Sequence, residues 1–223
     1  MASQSPVRHL FGLNPSSSEL SQYLATLAAH VSTPNPTTPE VKSYPDVVYL
    51  NYYLLGLSLL FIPASGYKPK AGLQLSELNN DQLILDSLDI YNIPKSSISG
   101  PRSKGSSSRT AELAFSSFPL YPLVFDVGGE VKDKDGNVQT RPSILEVTSQ
   151  TTGKDFVQCL GEPDRKGGGA GPSSGSIGIW CEWKRDGIMV EFGGDEAKGP
   201  QAWERGKDAA WKVITLFLSN SCK

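Results

Sequence analysis

Histidine and cysteine are scarce in this chain of 223 residues. Only His9 and His30 are present, so the second half of the chain has no histidine. Because histidine is the commonest general base and the usual partner of a nucleophilic serine or cysteine, most catalytic triads are excluded there. The three cysteines, Cys159, Cys181 and Cys222, are an odd number at spacings that fit neither a disulfide framework nor a zinc site. We therefore expect a reducing compartment, cytoplasmic or nuclear, and no bound metal.

The chain also lacks an excess charge of one sign and a long apolar run. It has 21 basic and 23 acidic residues, a formal charge of -2, so no global field attracts nucleic acid or an acidic membrane. The longest apolar stretch, YYLLGLSLLFIP at 52–63, has about half the length of a membrane span. The N-terminal segment has no uninterrupted apolar core of the kind found in secretory signals. We therefore expect neither nucleic-acid nor membrane partners.

Two segments of the chain resemble each other. YLNYYLLGLSLLF at 49–61 and GIWCEWKRDGIMVEF at 178–192 align on Gly56 and Gly187 with a constant offset of 131. Each has an aromatic first strand, a turn with glycine and a second strand that ends on phenylalanine, which predicts a β-hairpin. The matched pairs are Tyr49 with Trp180, Leu50 with Cys181, Tyr52 with Trp183, Leu59 with Val190, and Phe61 with Phe192.

The elements around each hairpin repeat in the same order. A predicted helix precedes each one, opened by Ser17 or Ser18 in the first half and by Thr151 or Thr152 in the second, because a hydroxyl can cap the first turn. A predicted strand follows each hairpin, at 83–92 and at 211–218. The repeated order of helix, hairpin and strand indicates a duplication.

The sequence therefore predicts an α+β fold of two tandem repeats, each a helix with an antiparallel sheet of hairpin plus strand, which can join as one continuous curved sheet. The first repeat takes residues 1–93. A linker rich in Ser, Gly and basic residues takes 94–114, and its composition predicts disorder. The second repeat takes 115–223 and begins with an extra hairpin around DKDGN at 133–137.

The hairpin strands alternate in a way that predicts two faces. Ile179, Cys181 and Trp183 face the helix, so Trp180 points outward. Exposed aromatic side chains on a sheet are typical anchors for a protein or peptide partner. We therefore expect a non-catalytic binding module that uses no cofactor, with these binding residues: Tyr49, Tyr53, Trp180, Glu182, Lys184 and Met189.

An alternative from another class stays open. The loop with Trp203 and Trp211 can cover a pocket against the sheet, and carboxylates in such a pocket can bind a small molecule or catalyse hydrolysis. The candidates are Glu182, Glu191 and Asp195. Because no histidine lies nearby, we expect binding rather than catalysis, and the sequence leaves an enzymatic function open.

The second half resembles a known architecture. The segments TTGKDFVQCLGEPDRKGGG, GIWCEWKRDGIMVEF and WKVITLFL resemble the helix, turn and antiparallel strands of the BLIP-like architecture, shared by beta-lactamase inhibitory proteins and the SmpA/OmlA outer-membrane assembly lipoproteins. The resemblance covers roughly 70 residues of the second half. It implies a tandem of such units that binds a protein through an aromatic-rich sheet. The residues that carry it are Thr152, Asp155, Val157, Leu160, Gly161, Pro163, Trp180 and Trp183.

Overall fold

The computed structural model describes residues 7–93, 114–132, 136–169 and 178–219. Its contacts divide these residues into a first unit, Val7–Leu120, and a second unit that begins at Tyr121. The predicted linker, apart from Ala114, lies outside the described residues. The fold is α+β and mostly antiparallel sheet with few helices, as predicted.

The first unit begins its regular structure with a helix, α1 (Ser18–Ala28). Ser17 caps it, because its Oγ accepts a hydrogen bond from the Leu20 amide at 3.2 Å. The helix buries one face, composed of Leu20, Tyr23, Leu24 and Leu27. The predicted helix and its capping serine are therefore confirmed.

Four antiparallel strands form the sheet of the first unit, in the order β1-β2-β3-β4. They are β1 (Glu40–Ser43), β2 (Val48–Tyr52), β3 (Leu57–Pro63) and β4 (Leu83–Tyr91). The turn between β2 and β3 ends at Gly56, whose φ of 58° suits glycine. The predicted hairpin and the predicted strand after it are both present.

The second unit has more elements. In chain order they are β5 (Leu123–Asp126), β6 (Glu130–Lys132), β7 (Val138–Thr140), β8 (Ile144–Val147), α2 (Gly153–Leu160), β9 (Arg165–Gly167), β10 (Trp180–Trp183), β11 (Ile188–Phe192), α3 (Ala202–Arg205) and β12 (Trp211–Phe217). The main sheet has the antiparallel order β9-β10-β11-β12, while β5 pairs with β8 and β6 with β7. The β6–β7 pair lies where the sequence predicted an extra hairpin, and residues 133–135 between the two strands lie outside the described residues.

Helix α2 begins after the predicted Thr152. The Thr152 amide donates to Asp155 Oδ2 at 2.8 Å, which satisfies one polar group at the helix start. On its buried face, the ring of Phe156 packs against Trp183 and Phe192, with centroids 6.2 and 6.0 Å apart. These contacts fix α2 on the inner face of the second unit's sheet, which forms the core.

The two units share strand order and register. Tyr49 pairs with Leu60 in the first unit, and Trp180 pairs with Glu191 in the second, at the same offset of 131. A register shift follows Leu60 in the β3–β4 pairing and follows Glu191 in the β11–β12 pairing. The correspondence between the two units therefore includes the position of a register shift as well as the pairing of the hairpin strands.

The segment after the linker packs on the first unit. The amides of Ser116 and Phe118 donate to the carbonyls of Tyr53 and Tyr91, both at 2.8 Å. Gly56 lies against this segment so closely that a Cβ there would clash with the Ser116 carbonyl. Residues 115–120, which the sequence assigned to the second repeat, therefore belong to the first unit.

Candidate functional site

The alternation of side chains separates an inner and an outer face in each sheet. In β2, Leu50 is 1% exposed in the core, while Tyr49 is half-buried on the opposite face. In the second unit, Cys181 and Trp183 are buried as predicted, and Trp180 lies half-buried on the outer face. The predicted assignment of inner and outer positions therefore holds in both hairpins.

A depression on the outer face of the first unit's sheet brings two predicted binding residues together. We call it the tyrosine hollow, and its volume is about 210 Å³. Tyr49 and Tyr53 both line it. Its full lining is Lys42, Tyr44, Tyr49, Asn51, Tyr53, Ser58, Asp89, Tyr91 and Phe115.

Aromatic rings form the walls of the tyrosine hollow. Phe115 stacks on Tyr91 with centroids 3.8 Å apart and planes 4° apart, and its edge meets Tyr53 at 4.6 Å. Tyr44 meets Tyr49 edge to face at 6.5 Å. Because the rings hold one another in place, the walls are organised before any ligand binds.

The floor of the tyrosine hollow is polar. Ser58 Oγ donates to Asn51 Oδ1 at 2.8 Å, and both residues are buried. Asp89 lies beside them, directly opposite Ser58 in the β3–β4 pairing. The pKa of Tyr49 is raised, first by burial and then by the negative charge of Asp89. The hollow therefore combines aromatic walls with a floor that includes a carboxylate.

Among the described residues that line the hollow, Lys42 is the only cation, and it is already partnered. Lys42 Nζ lies 3.4 Å from Glu40 Oε1, which also accepts a hydrogen bond from the Tyr53 hydroxyl at 3.1 Å. Asp46 contributes a further negative charge that raises the pKa of Tyr49. Carboxylates thus outnumber cations around the hollow, and the local field favours a positive ligand.

On the second unit, the structure brings Trp180, Glu182 and Met189 together on the outer face. Glu182 and Met189 are directly paired across β10 and β11. The guanidinium of Arg165 lies 5.8 Å from the centre of the Trp180 ring and 3.2 Å from Glu182. Lys184, the last predicted residue, is exposed just after β10. The chain's own arginine therefore occupies the surface of Trp180.

The carboxylates of the alternative prediction do not share a pocket. Glu182 pairs with Arg165, and Glu191 pairs with Lys212 at 2.6 Å; both carboxylates lie on strands of the outer face. Asp195 is exposed in the loop after β11. The expected pair of pocket carboxylates is thus absent from the described residues, because both strand carboxylates face away from the core and pair with cations.

A cleft nevertheless exists where that alternative placed one. We call it the lysine cleft; it has a volume of about 590 Å³ and lies between α2, the sheet and the segment around Trp203. Trp203 is 41% exposed at its rim, whereas Trp211 is buried in the core. Its charged lining consists of Lys154, Glu162, Lys166 and Lys207.

The thiol in the lysine cleft is protonated at neutral pH. Burial raises the pKa of Cys181 to about 11, although the charge of Lys166 lowers it. Burial likewise raises the pKa of Cys159. Both cysteines are free, and neither has the low pKa of a nucleophilic cysteine. No group of His, Cys, Asp or Glu in the described ranges is arranged to hold a metal ion.

Among the residues that line the tyrosine hollow, the sequence predicted Tyr49 and Tyr53 as binding residues; the three aromatic residues that it missed are Tyr44, Tyr91 and Phe115. Tyr91 carries a detectable signal, because Ser87, Asp89 and Tyr91 alternate along the predicted strand and share one face. Phe115 carries none, since it follows the linker and reaches the hollow only through tertiary contacts.

None of the helices in the described part of the chain is long and apolar enough to cross a membrane. Comparison of the chain with protein-family models, curated proteins and solved structures found no match.

Proposed function

We propose that the protein is a non-catalytic binding module that takes a protein or peptide partner on the outer face of the first unit's sheet. The observation that supports this proposal is the tyrosine hollow, in which ordered aromatic rings surround a polar floor on the face opposite the core. Aromatic side chains that combine apolar area with a polar group are common anchors at protein interfaces.

The size of the hollow favours one anchoring side chain. Pockets for whole small molecules have volumes of about 300–1,000 Å³, and the tyrosine hollow has about 210 Å³. A single long side chain of a bound peptide fits this size. The rest of the peptide then contacts the surrounding sheet surface, which makes the hollow the specificity pocket.

The charge of the hollow favours a basic anchor. Asp89 at the floor is a carboxylate among tyrosine rings, and a Lys or Arg side chain can interact with both. Lys42, the cation in the lining, pairs with Glu40. A peptide with a central lysine or arginine is thus the partner chemistry that we propose.

The outer face of the second unit is a secondary candidate surface. Trp180, Glu182, Lys184 and Met189 are available there, but Arg165 covers part of the Trp180 ring. We expect this surface to contribute less to binding than Tyr49 and Tyr53.

We also infer that the two units arose by duplication. The shared strand order, register and irregularity support this inference. The matched outer positions differ in chemistry, since Asn51 corresponds to Glu182 and Ser58 to Met189. The binding surfaces have therefore diverged, while the resemblance to the BLIP-like architecture and the location in cytoplasm or nucleus remain predictions.

A displayed library of random peptides tests the proposed function. We expect the wild-type chain to enrich peptides with a central Lys or Arg. Against a synthetic enriched peptide, Tyr49→Ala should lower the affinity at least about tenfold, about 1.4 kcal/mol. Asp89→Asn should weaken the preference for a basic residue.

Ile62→Ala is the matched control, because Ile62 is 40% exposed on β3 and does not line the hollow. It should bind the peptide as the wild type does. Unfolding curves of all variants must show that the chain is folded. Failure of the library to enrich any peptide, or equal affinities of Tyr49→Ala and Ile62→Ala, would contradict the proposal.

A further inference from the structure

The lysine cleft of the second unit has an apolar base. Ile179, Cys181 and Phe192 line it from the sheet, and all three are at least 94% buried. Val157 of α2 and Trp203 extend the apolar lining toward solvent, where they are 37% and 41% exposed. A volume of about 590 Å³ is within the usual range for small-molecule sites.

Three lysines frame this apolar lining. Lys154 comes from α2, Lys166 from β9 and Lys207 from the short 3₁₀ helix after α3. Only Glu162 in the lining has the opposite charge. None of the three lysines forms an ion pair within the described residues.

The position of Lys166 indicates how a ligand would be oriented in the cleft. Its Nζ lies 5.7 Å from the centre of the Trp203 ring, so that this charge stands at the boundary between the aromatic rim and solvent. An apolar ligand body can therefore lie on the base while an acidic group meets the lysines. Lysine suits such a role as a mobile point charge.

We propose that the lysine cleft binds an amphiphilic anion, a small molecule with an apolar chain or ring and one terminal acidic group. This inference goes beyond the peptide-binding function and is independent of it, since the tyrosine hollow belongs to the other unit. A carboxylate and a phosphate ester both supply the required charge. Cys181 contributes packing to the site and not chemistry, because its thiol stays protonated.

Binding of decanoate, decyl phosphate and decanol to the full chain tests this inference. The three probes share one alkyl chain, so decanol measures the apolar contribution alone. We expect at least one of the two anions to quench tryptophan fluorescence saturably and to bind about tenfold more tightly than decanol, since tenfold corresponds to about 1.4 kcal/mol of charge interaction. The ratio of the two anions identifies the preferred acidic group. Added salt should weaken the binding of the two anions and leave the binding of decanol unchanged.

Two pairs of variants locate the site. The triple variant Lys154→Gln, Lys166→Gln, Lys207→Gln should lose most of the preference for the anion. Its control, Lys68→Gln, Lys70→Gln, Lys198→Gln, removes the same charge at positions outside the cleft and should retain the preference for the anion. Val157→Glu should weaken anion binding, whereas Val138→Glu, at a valine 58% exposed elsewhere, should not.

The outcomes are distinguishable. Loss of anion binding in the cleft variants alone supports the inference. Equal binding of anion and decanol, equal effects of the two triple variants, or no saturable binding of either anion would overturn it. Each variant must first unfold at a denaturant midpoint close to that of the wild type.

Discussion

Arg141 and Asp186 form a buried bidentate ion pair in the second unit. Nη2 of Arg141 lies 2.6 Å from Oδ1 of Asp186, and Nη1 lies 3.0 Å from Oδ2. Both side chains are at most 6% exposed. The same guanidinium donates to the carbonyl of Leu160, at the end of α2, and to the carbonyls of Val127 and Gly128. One arginine thus links the β5–β8 region, the helix end and the β10–β11 turn.

Removal of one partner should strongly destabilise the second unit. Asp186→Ala leaves a guanidinium without its counter-ion in a buried site, and the expected loss is about 3–5 kcal/mol in the free energy of unfolding. Denaturant unfolding measures it. Arg165→Ala is the control, because that arginine is 60% exposed in its pair with Glu182, and its loss should cost less than about 1 kcal/mol. Similar losses in both variants would show that the buried pair has no special role.

The hydroxyl of Tyr23 should be dispensable. Tyr23 lies on the buried face of α1, and its hydroxyl has no hydrogen-bond partner in the part of the chain that the structure describes. An unsatisfied buried polar group costs about 1–3 kcal/mol. Tyr23→Phe should therefore raise the free energy of unfolding, by about 1 kcal/mol. Tyr53→Phe, which loses a hydrogen bond to Glu40, should not; a less stable Tyr23→Phe would mean that the hydroxyl has an interaction in solution.

Buried tyrosines should make the protein sensitive to alkali. Burial raises the pKa of Tyr52 from 10.0 to about 12 and raises the pKa of Tyr23 further. Because the folded state holds these protons more tightly, their stabilising effect is complete below pH 10.0 and is lost as the pH rises through the folded pKa. We expect the free energy of unfolding to fall above about pH 10. Tyrosinate absorbance and unfolding curves over this range measure it, and Tyr52→Phe should reduce the slope; an unchanged slope would contradict the assignment.

Gly56 and Gly187 should be equally intolerant of alanine. Their φ angles are 58° and 59°, and a Cβ would clash with the carbonyl of Ser116 in one case and of Phe217 in the other. Positive φ alone costs an alanine about 1–2 kcal/mol, and the clash adds to that cost. Gly72→Ala is the control, because Gly72 also has positive φ but open space around its Cα. Unfolding free energies that fall equally in all three variants would show that the close approach does not matter.

The local elements could be predicted from the sequence because their signals are local. The hydroxyl cap of Ser17, the start of α2 after Thr152, the turn glycines and the alternation around Trp180 depend on neighbours in the chain. The full set of residues that line the two candidate sites could not be predicted in this way. Phe115 reaches the tyrosine hollow across the linker, and Lys154, Lys166 and Lys207 come from three different elements.

The carboxylates that were predicted to line the pocket lie outside it for a related reason. Glu182 and Glu191 lie on the strands next to the cleft, and sequence proximity suggested that they belonged to it. Strand alternation places them on the opposite face from Cys181, which lines the cleft. The sequence thus indicated the correct strands, but the face of those strands decides which side chains line the pocket.

The stacking of Phe115 on Tyr91 makes the tyrosine hollow a composite of two distant stretches of chain. A protease that cut once between residues 94 and 113 would leave Tyr53 and Tyr91 on one fragment and Phe115 on the other. The wall would then persist only while the fragments stayed associated. If the hollow binds a peptide as proposed, the affinity would then depend on protein concentration, and a single cut would make binding sensitive to dilution.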